Sequence, residues 1–197
     1  MTNIKVFSDY ACPFCYIGFS IIDRLRKENP NLDIEWMPFE LTPDASLDGR
    51  DIGKDVSPEQ LEVAYKRILR LGAEYDLVYN NRTTSFNTHR LHKASLYANS
   101  VDKFYEFSKE AFKTIFEYGK NVADHSVIDE IGLSVGLDIN EMNKQIDEGH
   151  FDETMKKAKE LVPVHDIDSV PSFVVNDDKK VTTLKDYKKI SKDILED

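Results

Sequence analysis

The apolar positions of this chain change period along its length. Asn3 to Phe7 (NIKVF) reads as a short strand buried on at least one side. From Phe14 onward Ile17, Ile21, Ile22 and Leu25 recur at helical spacing until Asn29-Pro30 stops them, and Leu32 to Phe39 (LDIEWMPF) reads as a second strand. Strand, helix and strand in that order form a βαβ unit, which calls for a right-handed crossover and a parallel pair. At the other end, Ser172 to Val175 and Lys180 to Leu184 flank the turn NDDK, and Lys185 to Leu195 places Tyr187, Ile190, Ile194 and Leu195 on a short helix. The two ends together predict a small αβ sandwich over residues 1–42 and 162–197.

Between them almost every segment has helical period. Ser57 can cap a helix with Pro58 in its first turn and Gln60 at the reciprocal box position, and Gly72 lies near its end. Further helices are expected over Phe86 to Ala98 and over Val101 to Tyr118, where Val101, Phe104, Phe107, Ala111, Phe112, Ile115 and Phe116 fall along one stripe, whose aromatic residues read as core. Asp124 caps another, with Val127, Ile128 and Ile131 facing inward, and Asp138 with Glu141 resembles a second capping box. Residues 43–161 therefore read as an all-helical insertion in the αβ unit.

Composition narrows the function classes. The 197 residues carry a formal charge of −10 and are 41% apolar, enough for a core in one domain bearing an insertion and a poor fit to disorder. The acidic balance argues against a basic nucleic-acid face. No run reaches the roughly 18 to 20 apolar residues that cross a bilayer, and Lys5 is charged with no long apolar segment behind it. A cytoplasmic protein, monomer or homodimer, without membrane or nucleic-acid partners is the expectation.

The only cysteines, Cys12 and Cys15, stand in SDYACPFCYIGFS. A structural bridge closing so small a loop would constrain the unfolded chain little, so chemistry explains the pair better. At the start of a helix, Cys12 lies near unpaired N–H groups and the positive end of the helix dipole, which favours thiolate and makes it the expected nucleophile. Cys15, one turn on, can resolve a mixed disulfide. Pro13 fits the first turn, where its missing donor costs nothing, and Phe14 offers the sulfur an apolar surface. A zinc half-site would need partner ligands, and the nearest histidine in sequence after the pair is His89.

The second signal is DIDSVPSFVV, Asp166 to Val175. A proline can open a strand in the ordinary trans form. A cis Val170-Pro171 bond would instead present Val170 backbone groups to an incoming peptide or thiol.

These motifs resemble the thioredoxin superfamily, and more closely its DsbA-type, FrnE-like branch. The resemblance rests on DYACPFCYIG (Asp9 to Gly18), FNTHRLHKA (Phe86 to Ala94), FEYGKNVADHSVIDEIGLSVGLD (Phe116 to Asp138) and SVPSFVVN (Ser169 to Asn176), and it spans essentially the whole chain. It implies a thioredoxin-like α/β fold with a large all-helical insertion, thiol-disulfide oxidoreductase or isomerase chemistry, and a cis peptide at Pro171 beside Cys12. Substrate contacts are expected at Pro13, Phe14, Val170 and Pro171. Relatives often carry Trp at the position of Phe14 and Gly at that of Ser169, which bears on redox tuning and substrate preference.

Other residues have more than one reading. His89 and Arg90 lie in a motif that relatives place over the cleft, where a cation would stabilise the Cys12 thiolate or bind a substrate carboxylate; capping or surface roles fit as well. His89 and His92 are spaced i,i+3, yet no H-E-x-x-H pattern follows, and no metal is expected. Asp9 could move a proton from Cys15 or hold the turn. No bound cofactor is expected beyond the Cys12–Cys15 disulfide, with glutathione or another thiol as co-substrate. Two rival readings are a glutathione-dependent transferase or isomerase of the kappa-class and chromene-carboxylate type, whose nucleophile position is typically Ser, and a non-catalytic adaptor that binds a partner protein.

Overall fold

The structure, a computed structural model, describes residues 2–81 and 83–196. Met1 and Asp197, the outer limits of the predicted αβ unit, and Arg82 of the insertion lie outside the described residues. Strand β1 (Asn3–Ser8), helix α1 (Pro13–Glu28) and strand β2 (Asp33–Pro38) form the βαβ unit, with β1 and β2 parallel and Val6 opposite Trp36. Among the intervening elements, strand β3 (Arg50–Asp51) pairs antiparallel with strand β4 (Thr84–Ser85), a short ladder absent from the helical reading of this region. The helices are α2 (Pro58–Gly72), α3 (His89–Ser100), α4 (Phe104–Phe116), α5 (His125–Ser134), α6 (Ile139–Asp147) and α7 (Asp152–Val164). The chain then returns through β5 (Ser172–Val175), β6 (Lys179–Val181) and α8 (Tyr187–Leu195), giving a sheet in the order β2-β1-β5-β6. This is a thioredoxin-like core with a large helical insertion.

The predicted caps form. Ser57 Oγ accepts from Gln60 N at 3.3 Å while Gln60 Oε1 accepts from Ser57 N at 3.1 Å, closing the reciprocal box. Asp124 accepts from Ser126 N and Asp138 from Glu141 N, whereas the Glu141 carboxylate accepts from Gln145 rather than completing a box. The helix expected from Val101 starts at Phe104, because Asp102 takes a left-handed conformation (φ 58°) that turns the chain between α3 and α4. Likewise the helix expected from Phe86 starts at His89, whose N–H donates to the Asn87 side chain. The last ladder pair of β6 is Val181 opposite Phe173, so Leu184 is buried beyond the strand instead of extending it.

Helix α1 lies at the centre. Its Ile17, Ile21, Ile22 and Leu25 are wholly buried, in one hydrophobic cluster that also takes in Val6 and Phe173 of the sheet, Ile68 of α2, Leu91 of α3 and Phe112 of α4. A smaller cluster of Phe7, Met37, Ala158, Ile167 and Val174 joins α7 to the sheet. Among the described residues no helix is long and apolar enough to cross a membrane.

Candidate active site

The site forms where β1 ends and α1 begins. Cys12 is the N-cap of α1, extended at φ −91° and ψ 117°, and Pro13 follows in the first turn. Cys12 N donates to Asp9 O at 3.1 Å and Cys15 N to Cys12 O at 3.0 Å, so the turn is fixed by its own backbone. Both thiols are free; Cys12 is 7% exposed and Cys15 fully enclosed. Burial, reinforced by the neighbouring Cys12 sulfur, raises the Cys15 thiol well above its ordinary value, against the opposing pull of the Asp9 N–H and the Ser8 hydroxyl. Asp9 N lies 3.4 Å from Cys15 Sγ.

The returning chain places the second motif against the first. Val170-Pro171 is cis, and the Cys12 thiol donates to the Val170 carbonyl at 3.5 Å. Ser172 Oγ donates to Ser169 O at 2.6 Å and pins this loop. The close approach depends on Gly18, whose role no local pattern in the sequence signals. A Cβ there would stand 2.9 Å from Pro171 Cγ and 3.0 Å from its Cβ. The proline ring cannot swing aside like a flexible side chain. Gly18→Ala is therefore expected to cost about 1–3 kcal/mol through overpacking, read as a lower urea midpoint with unchanged slope. An unchanged midpoint would show that the loop yields freely.

Two concavities flank Phe14. The larger, about 290 Å³, runs from Cys12 and Phe14 to Leu61, Tyr65 and Ile68 of α2 and to Tyr79. Tyr79 ties this wall to the site, its hydroxyl donating to Pro13 O at 3.1 Å while its own carbonyl accepts from Tyr65 at 3.2 Å. The smaller, about 150 Å³, lies between Phe14, Arg67, Val170, Pro171 and Thr182. The Arg67 guanidinium sits 5.5 Å above the Phe14 ring.

His89 and Arg90 line neither concavity. His89 Nδ1 faces Glu40 Oε1 at 3.0 Å, and Arg90 is spent on α6, donating to Asp147 at 2.7 Å and Asn143 at 2.8 Å. Asp9, in contrast, lies directly beneath the cysteines and is completely buried. Its Oδ1 accepts from Ala11 N (3.0 Å), Thr88 Oγ1 (2.7 Å) and His92 Nε2 (3.3 Å), and its Oδ2 from Leu41 N (2.7 Å). Thr88 and His92 belong to the FNTHRLHKA motif, but helical spacing on the sequence pairs His92 with His89 and gives no sign of Asp9.

Burial alone would raise the Asp9 carboxyl; the hydrogen bond and charge of His92, with the Leu41 and Ala11 amides, outweigh it and hold the group below 3.8. A depressed carboxylate contributes stability that is fully present above the unfolded value and is lost as pH falls through the lower native one. Wild type is thus expected to be more stable than Asp9→Asn by about 1–3 kcal/mol at pH 6, with the gap closing below about pH 4. Urea midpoints from pH 2 to 6 check this, and a gap independent of pH would contradict it.

The chain as a whole is similar to known proteins. The uncharacterised protein YwbO of Bacillus subtilis (strain 168) is 25% identical over 177 residues, 89% of this chain and 87% of that one. The crystal structure of a probable DsbA oxidoreductase from Streptomyces coelicolor superposes with a TM-score of 0.84 at 18% identity, covering 98% of this chain and 88% of that one. The cytosolic disulfide reductase DsbM from Pseudomonas aeruginosa, solved with GSH, gives 0.70 at 18% identity over 91% and 89% of the two chains. The DSBA-like thioredoxin domain model matches residues 3–194, and the chain belongs to that family.

Proposed function

We propose that this protein is a cytoplasmic thiol-disulfide oxidoreductase or isomerase of the FrnE-like branch, with Cys12 as nucleophile and Cys15 as resolving thiol. The observation that carries the reading is the graded access of the pair: Cys12 caps α1 at the edge of a cavity, facing the Val170 carbonyl, with Cys15 enclosed behind it. Cys12 reacts as its thiolate, the nucleophilic form of a thiol. That thiolate attacks a substrate disulfide, forming the Cys12–substrate bond as the other substrate sulfur leaves as thiolate and takes a proton from water. Cys15 then loses its proton and attacks Cys12 Sγ; the Cys12–Cys15 bond forms, the mixed disulfide breaks, and two electrons have passed from the pair to the substrate. The reverse sequence oxidises a dithiol, and a reducing compartment favours the reductase or isomerase direction.

Val170 and Pro171 hold the substrate chain beside the sulfur, Pro13 and Phe14 form the rim, and the apolar cavity takes a flanking group. Protein thiols and glutathione are the co-substrates this chemistry admits. A transferase of the kappa-class or chromene-carboxylate type needs no second thiol, so an enclosed Cys15 under Cys12 weighs against it. The deciding experiment is the equilibrium of the pair in glutathione buffers, tracked by thiol alkylation. A reversible two-electron transition within about −180 to −270 mV is expected, the range of familiar thiol exchangers. If no disulfide forms at any poise, the proposal fails.

A further inference from the structure

We propose that Asp9, held by Thr88 and His92, is a positioning residue through which the helical insertion sets the geometry of the resolving thiol; the inference rests on the exchange reaction proposed above. Every polar unit of Asp9 is engaged at the site. Its N–H points at Cys15 Sγ (3.4 Å), its carbonyl accepts from Cys12 N (3.1 Å), and its carboxylate gathers donors from three separate stretches of chain. Ala11 belongs to the catalytic turn itself, Leu41 to the segment entering the insertion, and Thr88 and His92 to the start of α3.

The α3 side of this junction departs from what its own helix needs. Thr88 occupies the N-cap, where a threonine oxygen ordinarily accepts from an N–H of the first turn. Here it makes no such bond; its hydroxyl donates to Asp9 at 2.7 Å, and Asn87 accepts the His89 N–H instead. His92 Nε2 stands 3.3 Å from Asp9 Oδ1 and 3.1 Å from the Phe39 carbonyl, so this nitrogen faces two acceptors and carries a proton. Three donors on Oδ1 and one on Oδ2 stabilise the charged carboxylate and oppose its taking a proton from Cys15. Holding the turn is the role the geometry supports.

The consequence falls on the resolving step, in which the Cys15 thiolate attacks Cys12 Sγ and the substrate sulfur departs as thiolate. The Asp9 N–H stabilises Cys15 sulfur while it is reduced and as it becomes charged, and a disulfide sulfur accepts the same bond more weakly. Loosening Asp9 therefore shifts the pair toward disulfide and slows resolution.

Thr88→Val tests this cleanly, since it keeps the side-chain shape and leaves the Asp9 charge in place. Relative to wild type, its equilibrium with glutathione is expected to move about three- to tenfold toward the Cys12–Cys15 disulfide, and resolution of a Cys12–glutathione mixed disulfide to slow by a similar factor, the size of one hydrogen bond. Thr88→Ser restores both. A purely structural Thr88 would lower the urea midpoint of Thr88→Val and leave the equilibrium and the rate unchanged, which would overturn the inference, as would a shift toward the dithiol. Should Thr88→Val not fold, Thr88→Ala adds no bulk and carries the same comparison. Failure of wild type to form a disulfide would instead remove the exchange reaction itself, and it is seen before any variant is made.

Discussion

Cys12→Ser is expected to reduce disulfide exchange to background, a loss on the order of a thousandfold or more, while Cys15→Ser converts turnover into a covalent trap. The two thiols differ only in access and surroundings, and these predict opposite failures. Cys12 sits at the mouth of the cavity, and a serine oxygen there cannot form a disulfide. Cys15 is fully enclosed and receives the Asp9 N–H, so substrate cannot reach it in the folded protein. Its only route into the reaction is attack on Cys12 Sγ. Without it, the Cys12–substrate bond persists until a second external thiol arrives. Intact-mass measurement after incubation with oxidised glutathione should show one glutathione adduct on Cys15→Ser and none on Cys12→Ser. Iodoacetamide should label wild-type Cys12 rapidly, and Cys15 only on unfolding, because burial also raises that thiol. Rapid labelling of Cys15 in the native protein, or exchange surviving in Cys12→Ser, would remove the assignment of roles.

What the sequence revealed follows from how far apart the participants stand. Cys12, Pro13 and Cys15 are legible because their relation is local: a C-x-x-C at a strand-to-helix junction has one helical turn between its sulfurs whatever else the chain does. The core positions of α1 and the Ser57–Gln60 box are legible for the same reason. The supporting contacts lie out of reach of periodicity. Thr88 and His92 meet Asp9 across 79 and 83 residues, and Tyr79 reaches Pro13 across 66. Gly18 looks like an ordinary helical glycine until Pro171 arrives from the other end of the chain. The starting point of α4 was hidden differently, since the apolar stripe runs through Val101 while the left-handed Asp102 turns the backbone there and delays the helix to Phe104. His89 and Arg90 stand in a suggestive motif, yet each meets a carboxylate distant in sequence, Glu40 of the loop after β2 and Asp147 of α6.

Phe112→Ala bears on whether the helical insertion is an accessory or part of the same cooperative unit as the cysteine turn. The Phe112 ring is 2% exposed and stacks on Tyr16, the residue after Cys15, with centroids 5.2 Å apart and planes within 10°. It also meets Tyr10 at 4.8 Å and Phe19 at 5.6 Å, so one side chain of α4 touches the strand-to-helix turn and two residues of α1. Truncation forfeits the transfer energy of a large aromatic ring and leaves a void that rigid neighbouring rings fill only in part, a loss of about 3–5 kcal/mol. Since this cavity opens where the insertion meets α1, the whole molecule should lose stability together: a single urea transition at a lower midpoint, with Cys15 becoming open to alkylation in that same transition. If the insertion were a separately stable body, the variant would melt in two steps and Cys15 would stay protected through the first. The single hydrophobic cluster running from Val6 and Phe173 through α1 to Phe112 and Leu91 favours the cooperative outcome. In that case the walls of the cavity on α2 and the Asp9 junction on α3 are held in place by the same core that positions the sulfurs, and the cysteine turn cannot take this setting without the insertion.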